Sequence, residues 1–147
     1  MTILVNSIGG KYMDWMLMPL RRYADFSGRS RRKEYWMFVL GVLIVVAGLL
    51  AVAAIMGSGL QTMAENGGLI AGPFLIVFAL FWLALIVPSI AVQVRRFHDQ
   101  DKSGWFVLLN FIPYLGGLIV LVFMCLEGTR GPNRYGEDPK AGESPTA

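Results

Sequence analysis

Residues 95–105 read RRFHDQDKSGW and form a polar island between two long apolar runs. The island holds the only histidine of the chain, His98, and five charged residues. The runs on either side, residues 69–92 and 105–126, carry no charge over 24 and 22 positions. A membrane-spanning helix needs about 20 consecutive apolar residues. The island is therefore predicted to connect two membrane segments.

The composition also favours lipid as the surrounding solvent. Hydrophobic residues make up 55% of the 147 positions, and charged residues make up only 16%, whereas a soluble domain carries about 25%. The apolar residues occur in blocks rather than at the spacing of a soluble core. Cys125 is the only cysteine, which excludes an internal disulfide and a cysteine metal cluster.

A further charge-free run of 22 residues, 35–56, opens with Tyr35 and Trp36, as helices that begin at a membrane interface do. The predicted fold is therefore all-α, a polytopic membrane protein with about three transmembrane helices. The predicted spans are residues 35–56, 69–92 and 105–126, joined by a glycine-rich loop at 57–68 and the island. They form a single membrane domain, residues 13–140, and residues 141–147 are predicted to be disordered.

The third run allows two interpretations, because Asn110, Pro113 and the pair Gly116-Gly117 interrupt it. One kinked span is the first. A re-entrant hairpin of two half-length pieces is the alternative, since each piece is too short to cross a bilayer.

The segment from Lys11 to Phe26 shows helical periodicity. Its charged residues fall on one third of a helix, and Trp15, Met16 and Leu20 lie opposite. This pattern predicts an amphipathic helix in the membrane interface, although Pro19 would kink it.

Lysine and arginine counts predict the topology. Seven precede the first span, none lie in residues 57–68, three lie in the island and three in the tail. The positive-inside rule then places the N-terminus and the 93–104 loop in the cytoplasm. Three spans would put the tail outside, and a re-entrant third segment would put it inside.

Six short motifs carry a family resemblance: MDW at 13–15, GR at 28–29, RRKEYW at 31–36, RRFHD at 95–99, SGW at 103–105 and GTRGPNRYGEDP at 128–139. In this order they resemble the small bacterial inner-membrane proteins of the domain of unknown function 805 family (DUF805). The resemblance implies residence in the bacterial inner membrane and no established biochemical activity. It also implies that many members begin at the equivalent of Met13, so that residues 1–12 are an extension or a misassigned start. Phe97 departs from the family, which usually has leucine there.

The motifs suggest a structural or interaction cluster. In this cluster the polar segment before the first span, the island and the polar segment after residue 126 pack together at the membrane surface. Coupling of Asp99 to Arg31 or Arg134 would indicate such packing. The predicted members, read from the motifs, are Arg31, Arg32, Glu34, Arg95, Arg96, His98, Asp99, Ser103, Gly104, Trp105, Asn133 and Arg134.

A histidine beside an aspartate could also do acid–base chemistry. A catalytic metal usually needs three protein ligands, however, and the chain has no second histidine. No catalytic, metal or cofactor site is therefore predicted. The structural interpretation is that Arg95, His98 and Asp99 tie the second span to the third.

The predicted function is a non-enzymatic membrane scaffold or interaction component. An oligomeric transporter or channel subunit is the alternative, and it is disfavoured because the predicted spans contain no ionisable residue. A lipid-modifying enzyme using His98 and Asp99 is a third hypothesis. Expected partners are membrane lipids, including anionic headgroups, and either a protein partner or further copies of the chain. Nucleic acid is not expected, because the basic cluster adjoins a membrane span.

Overall fold

A computed structural model describes residues 2–55 and 71–141, and in these ranges the chain is helical. Apart from one isolated bridge between Asn133 and Gly136, these residues form helices, turns and coil. The elements are α1 (Thr2–Arg21), α2 (Arg32–Ile55), α3 (Ala71–Asp99), a 3-10 helix (Gly104–Phe111) and α4 (Gly116–Cys125). The prediction of an all-α fold is confirmed for the described residues, while the glycine-rich loop at 57–68 and residues 142–147 lie outside them.

Within the described ranges, α2 and α3 are the two helices that are long and apolar enough to cross a membrane. The qualifying stretches, Arg32–Val52 and Leu75–Asp99, have mean hydropathies of 2.6 and 2.7. At 1.5 Å per residue they extend about 30 and 37 Å, which matches a hydrocarbon core of roughly 30 Å. Only 6% and 22% of their most apolar windows are buried by the rest of the chain. The exposed apolar surface of both helices is what lipid contact requires.

Helix α3 continues seven residues beyond its predicted end at Val92, so the first half of the island is helix rather than loop. Arg96 and His98 lie in its last turn, where positive charge interacts favourably with the helix dipole. Arg95, Arg96 and Asp99 are also buried and paired there. The composition-based boundary was therefore wrong because tertiary partners compensate these charges.

A side chain from the segment after α1 compensates for the hydrogen bond that α3 lacks at Pro88. Pro88 lacks an amide hydrogen, so the carbonyl of Ala84, four residues earlier, has no helical donor. The hydroxyl of Tyr23 donates to that carbonyl oxygen at 2.6 Å. A distant side chain therefore supplies the missing hydrogen bond and ties the end of α1 to the middle of α3.

The third apolar run is not one continuous helix, which rules out a single unbroken helix over 105–126. It consists of the 3-10 helix, a turn in which Tyr114 has φ 63°, and α4. Gly116 makes the reversal feasible, because a Cβ at this position would lie 1.9 Å from the carbonyl oxygen of Leu109. The ten residues of α4 extend only about 15 Å.

Both ends of this hairpin lie beside the last turns of α3. A Cβ on Gly104 would come within 3.1 Å of His98 Nε2, and the carbonyl oxygen of Leu126 accepts a hydrogen bond from Arg96. The arrangement is the two-piece hairpin that the sequence left open as its alternative.

Helix α1 ends at Arg21, so the predicted helix over 11–26 is too long at its C-terminal end. The carboxylate of Asp25 accepts hydrogen bonds from Ser27 and Arg22, which favours a turn over a further helical turn. Met16 packs against Gly41 of α2. On the outer side, Asp14 and Arg21 form an exposed ion pair at 3.1 Å.

Candidate functional site

Three polar segments meet at the C-terminal end of α3. They are residues 22–34 (the leader), 95–105 (the island) and 126–141 (the tail), and together they are called the polar head below. Arg29 links all three: Nε donates to Asp99 Oδ1 at 3.0 Å, and Nη1 and Nη2 donate to the carbonyl oxygens of Gly131 and Thr129 at 2.7 and 2.6 Å. One leader side chain thus fixes the island and the tail in a single arrangement.

Asp99 is the centre of the larger ion-pair network. Its Oδ2 accepts from Arg96 Nη1 at 2.5 Å while Oδ1 is held by Arg29, and its side chain is only 7% exposed. Its backbone carbonyl accepts from the Thr129 amide at 2.8 Å. Buried charges are tolerated when they are paired and hydrogen-bonded, so Asp99 is the group that allows two arginines to be buried here.

At Gly128 the backbone of the tail closely approaches this carboxylate. A Cβ added at this position would lie 1.9 Å from Asp99 Oδ2 and 2.4 Å from its Cγ. The tail backbone therefore packs directly on the Asp99 side chain, and only glycine fits.

A second buried pair joins the leader to α3. Arg95 donates from Nη2 to Glu34 Oε1 at 3.1 Å, and both side chains are almost fully buried. Nη1 of Arg95 also donates to the Asp25 carbonyl at 2.6 Å, and the Arg95 carbonyl accepts from the Ser30 amide at 3.1 Å. Arg95 therefore binds the leader through its side chain and its backbone.

His98 occupies a defined position beside these pairs. Its Nδ1 lies 3.2 Å from the carbonyl oxygen of Gly28. A carbonyl only accepts, so Nδ1 carries the hydrogen and Nε2 of the neutral ring has the free lone pair. The ring of Tyr135 stacks on the imidazole at 3.8 Å with the planes 4° apart. His98 and Asp99 thus have different partners, and both connect α3 to the leader and the tail.

Among the described residues, no group of three or more His, Cys, Asp and Glu side chains could hold a metal ion.

Arg31 and Arg32 contact the tail at other points. Arg31 donates to the carbonyl oxygen of Pro139, with Nε at 2.6 Å, and Arg32 pairs with Glu127 Oε1 at 2.6 Å. Arg134 pairs with Asp101, Nε to Oδ1, at 3.1 Å. The arginines that contact Asp99 directly are Arg29 and Arg96.

The remaining predicted residues shape the edges of the polar head. Asn133 Nδ2 donates to the His98 carbonyl at 2.9 Å. The Ser103 hydroxyl accepts from the Trp105 amide at 3.4 Å and caps the 3-10 helix, while Gly104 packs beside Val94. Trp105 is 77% exposed, so it belongs to the outer surface rather than to the buried network.

Four residues of this network were missed from the sequence: Arg29, Gly128, Thr129 and Tyr135. All four lie inside the motifs GR and GTRGPNRYGEDP, which is the signal that could have found them. Their roles depend on contacts across about 30 to 100 positions of sequence, which the motif pattern does not reveal.

Two carboxylates outside the long helices have depressed pKa values. The Ser27 hydroxyl, 2.5 Å from Oδ1, and the Arg22 guanidinium hold the pKa of Asp25 well below its usual value. The backbone amides of Lys140 and Gly131 donate to Asp138 and lower the pKa of its carboxyl group. Both carboxylates therefore stabilise turns of the leader and tail in their ionised forms.

The family profile described as "Protein of unknown function (DUF805)" matches residues 23–137, which include almost all of the polar head. The chain belongs to the DUF805 family. It is 46% identical over 132 residues to inner membrane protein YhaI of Escherichia coli (strain K12), covering 90% of this chain and 100% of that protein. It is 45% identical over 130 residues to inner membrane protein YhaH of the same strain, covering 87% and 98% of the two chains.

No solved structure shows a significant match to this chain. The expected family membership is confirmed, and with its two long apolar helices this DUF805 chain is an inner-membrane protein.

Proposed function

We propose that this DUF805 protein is a non-enzymatic interaction component of the inner membrane, with the polar head as a rigid cytoplasmic platform. The observation that carries the proposal is the use of the buried charges. Asp99 pairs with both Arg29 and Arg96, and Glu34 pairs with Arg95. A catalytic centre keeps an ionisable group available to the reacting atoms, whereas these groups hold backbone segments together.

The proposed topology is two spans, α2 and α3, with the 104–126 hairpin entering the membrane from the cytoplasmic side and returning to it. This arrangement replaces three complete spans, and it is supported by the position of both hairpin ends beside the island. It puts every lysine and arginine of the chain on one side, as the positive-inside rule favours. Helix α1 would then lie at the cytoplasmic interface, with the Asp14–Arg21 pair towards the headgroups.

A fluorescent reporter fused after Ala147 tests this topology. It should fluoresce in the cytoplasm if the third segment is re-entrant. Alkaline phosphatase fused at the same position is active only in the periplasm, so activity of that fusion would support the three-span topology instead.

The platform presents cations that its own carboxylates do not neutralise. Among the described residues, Lys33 and Lys102 contact only aromatic rings, at 5.2 Å from Tyr12 and 5.3 Å from Phe123, and Arg130 has no carboxylate partner. Near an anionic surface each such charge contributes about 1 kcal/mol. The favoured contacts are therefore anionic headgroups and acidic segments of a partner protein.

Neutralising these cations tests the platform. In the triple variant Lys33→Gln, Lys102→Gln, Arg130→Gln we expect loss of phosphatidylglycerol retained after mild detergent extraction, measured by native mass spectrometry. The matched control is Arg21→Gln, which removes an exposed cation already paired with Asp14. Equal lipid retention in the triple variant and the wild type would contradict the proposal.

Substitutions of His98 distinguish the platform hypothesis from the enzyme hypothesis. In His98→Asn the side-chain amide can still donate towards the Gly28 carbonyl, whereas His98→Ala cannot. The platform predicts that Asn preserves much of the detergent stability lost in Ala, and that both variants retain the same partners on cross-linking in native membranes. A folded His98→Asn protein that abolished a lipid turnover catalysed by the wild type would favour the enzyme instead. Solute flux in proteoliposomes of the wild type would favour the transporter.

A further inference from the structure

Outside the polar head, a groove of about 430 Å³ runs between α3 and the 3-10 helix. Its walls are apolar, with Trp82 and Ile90 on α3 and Phe111 at the end of the 3-10 helix. Two amides, Gln93 and Asn110, lie within it. They face the surface that lipid contacts in the proposed topology, so their hydrogen bonding decides what the groove can accept.

The two amides satisfy each other only in part. Asn110 Nδ2 donates to Gln93 Oε1 at 2.8 Å and to the Val107 carbonyl at 2.9 Å. Within the described part of the chain, no group pairs with Nε2 of Gln93 or with Oδ1 of Asn110. The groove therefore presents one free donor beside one free acceptor.

Hydrocarbon offers no partner to either group, and polar side chains facing lipid promote association between helices. A donor beside an acceptor is self-complementary under a two-fold axis. Gln93 Nε2 of one copy can donate to Asn110 Oδ1 of the other, and the reciprocal bond follows from the symmetry. A ligand with a single polar group would satisfy only half of this pair.

The shape of the surface favours the same occupant. Phe111 projects from the rim of the groove and is 82% exposed. Under a two-fold axis the Phe111 ring of each copy can enter the apolar groove of the other, as a side-chain knob packed into a facing hole. We infer that the chain forms a symmetric homodimer in the membrane through the groove between α3 and the 3-10 helix, joined by reciprocal Gln93–Asn110 hydrogen bonds.

This inference goes beyond the proposed function and rests on its topology only in placing the groove against lipid, because the groove contains no residue of the polar head. Cysteine cross-linking tests the interface directly. Ser89, which lines the groove one helical turn before Gln93, is changed to cysteine in a Cys125→Ser background. The control is Leu80→Cys, which is 60% exposed on the opposite face of α3.

In liposomes at low protein density, oxidation should link Ser89→Cys into dimers and leave Leu80→Cys monomeric. Equal linking of both variants, or of neither, would overturn the inference.

A second variant tests the amides themselves. Gln93→Leu removes the free donor, keeps a similar side-chain volume and leaves the bond from Asn110 to the Val107 carbonyl. Two interfacial hydrogen bonds are lost per dimer, so the dimer dissociation constant should rise about tenfold or more. Single-molecule photobleaching in liposomes measures it, with circular dichroism as the control for folding. A folded Gln93→Leu protein with unchanged dimer affinity would contradict the amide contact, and a monomeric wild type would contradict the dimer.

Discussion

Removing the carboxylate of Asp99 should release the tail from the membrane domain. Asp99→Ala leaves the guanidinium groups of Arg29 and Arg96 buried without their counter-charge. Arg96 is completely buried and Arg29 is 7% exposed. Breaking a buried ion pair by removing one partner costs about 3–5 kcal/mol, and two hydrogen bonds to a charged group at about 1.5–3 kcal/mol each give a similar total. We therefore expect a loss of about 3–5 kcal/mol in the free energy of unfolding.

The neighbouring aspartate provides a matched control. Asp101 belongs to the same island and pairs with Arg134, but the two side chains are 48% and 58% exposed. Exposed pairs contribute about 0.2–1 kcal/mol. Asp101→Asn removes the charge and keeps a residue type that tolerates the φ of 55° at this position, so it should cost less than about 1 kcal/mol. Both variants can be compared by equilibrium unfolding with SDS in mixed micelles, followed by circular dichroism.

A second measurement locates the effect. Asp99 holds the tail through Arg29, Gly128 and Thr129. Trypsin should therefore cleave after Arg130 and Arg134 faster in Asp99→Ala than in the wild type or in Asp101→Asn. If Asp99→Ala unfolds and is cleaved like Asp101→Asn, the buried network does not hold the polar head together.

Three further substitutions test other contacts. Gly128→Ala should destabilise the protein by about 1–3 kcal/mol or more in the same SDS unfolding assay, because its Cβ would lie 1.9 Å from Asp99 Oδ2. Gly117→Ala is the control and should be nearly neutral, because its Cβ would meet nothing within 4 Å. Tyr23→Phe should cost about 1 kcal/mol by orphaning the Ala84 carbonyl, and the cost should shrink in a Pro88→Ala background, where an amide donor returns; an unchanged cost there would refute the role assigned to the hydroxyl. Asp25→Asn should destabilise the protein at neutral pH, because the folded pKa of Asp25 is depressed. Its difference from the wild type should be full above the unfolded pKa of 3.8 and shrink as the pH falls below it; a difference independent of pH would count against the Ser27 and Arg22 contacts.

The two long apolar helices could be predicted because the length of a charge-free run is a local property. Residues 35–56 and 69–92 correspond to α2 and α3 wherever the structure describes them. The end of α3 could not be predicted, since Arg95, Arg96 and Asp99 remain helical only through partners far away in the sequence. The break in the third run, for which one kinked span was the first interpretation, could not be located from the sequence, because the contact of Gly116 with the Leu109 carbonyl depends on the fold.

The motifs indicated which residues could belong to the cluster, but not which of them pair with each other. Motif positions placed Asp99 and several arginines in one group, and nothing local distinguishes Arg29 from Arg31. The structure directs Arg29 to Asp99 and Arg31 to the Pro139 carbonyl. The partner of a buried charge depends on which segment the fold brings close, so the motifs did not reveal that Arg29 and Arg96 are the partners of Asp99.

In the proposed topology, leader, island and tail form one polar head on a single side of the membrane. Single cysteines replacing Arg21, Lys102 and Glu137 in a Cys125→Ser background sample the end of α1, the island and the tail. A membrane-impermeant maleimide is applied to intact spheroplasts and to inverted vesicles. We expect all three positions to react in inverted vesicles and none in intact spheroplasts; reaction of the Glu137→Cys variant in intact spheroplasts would place the tail on the opposite side and contradict the account.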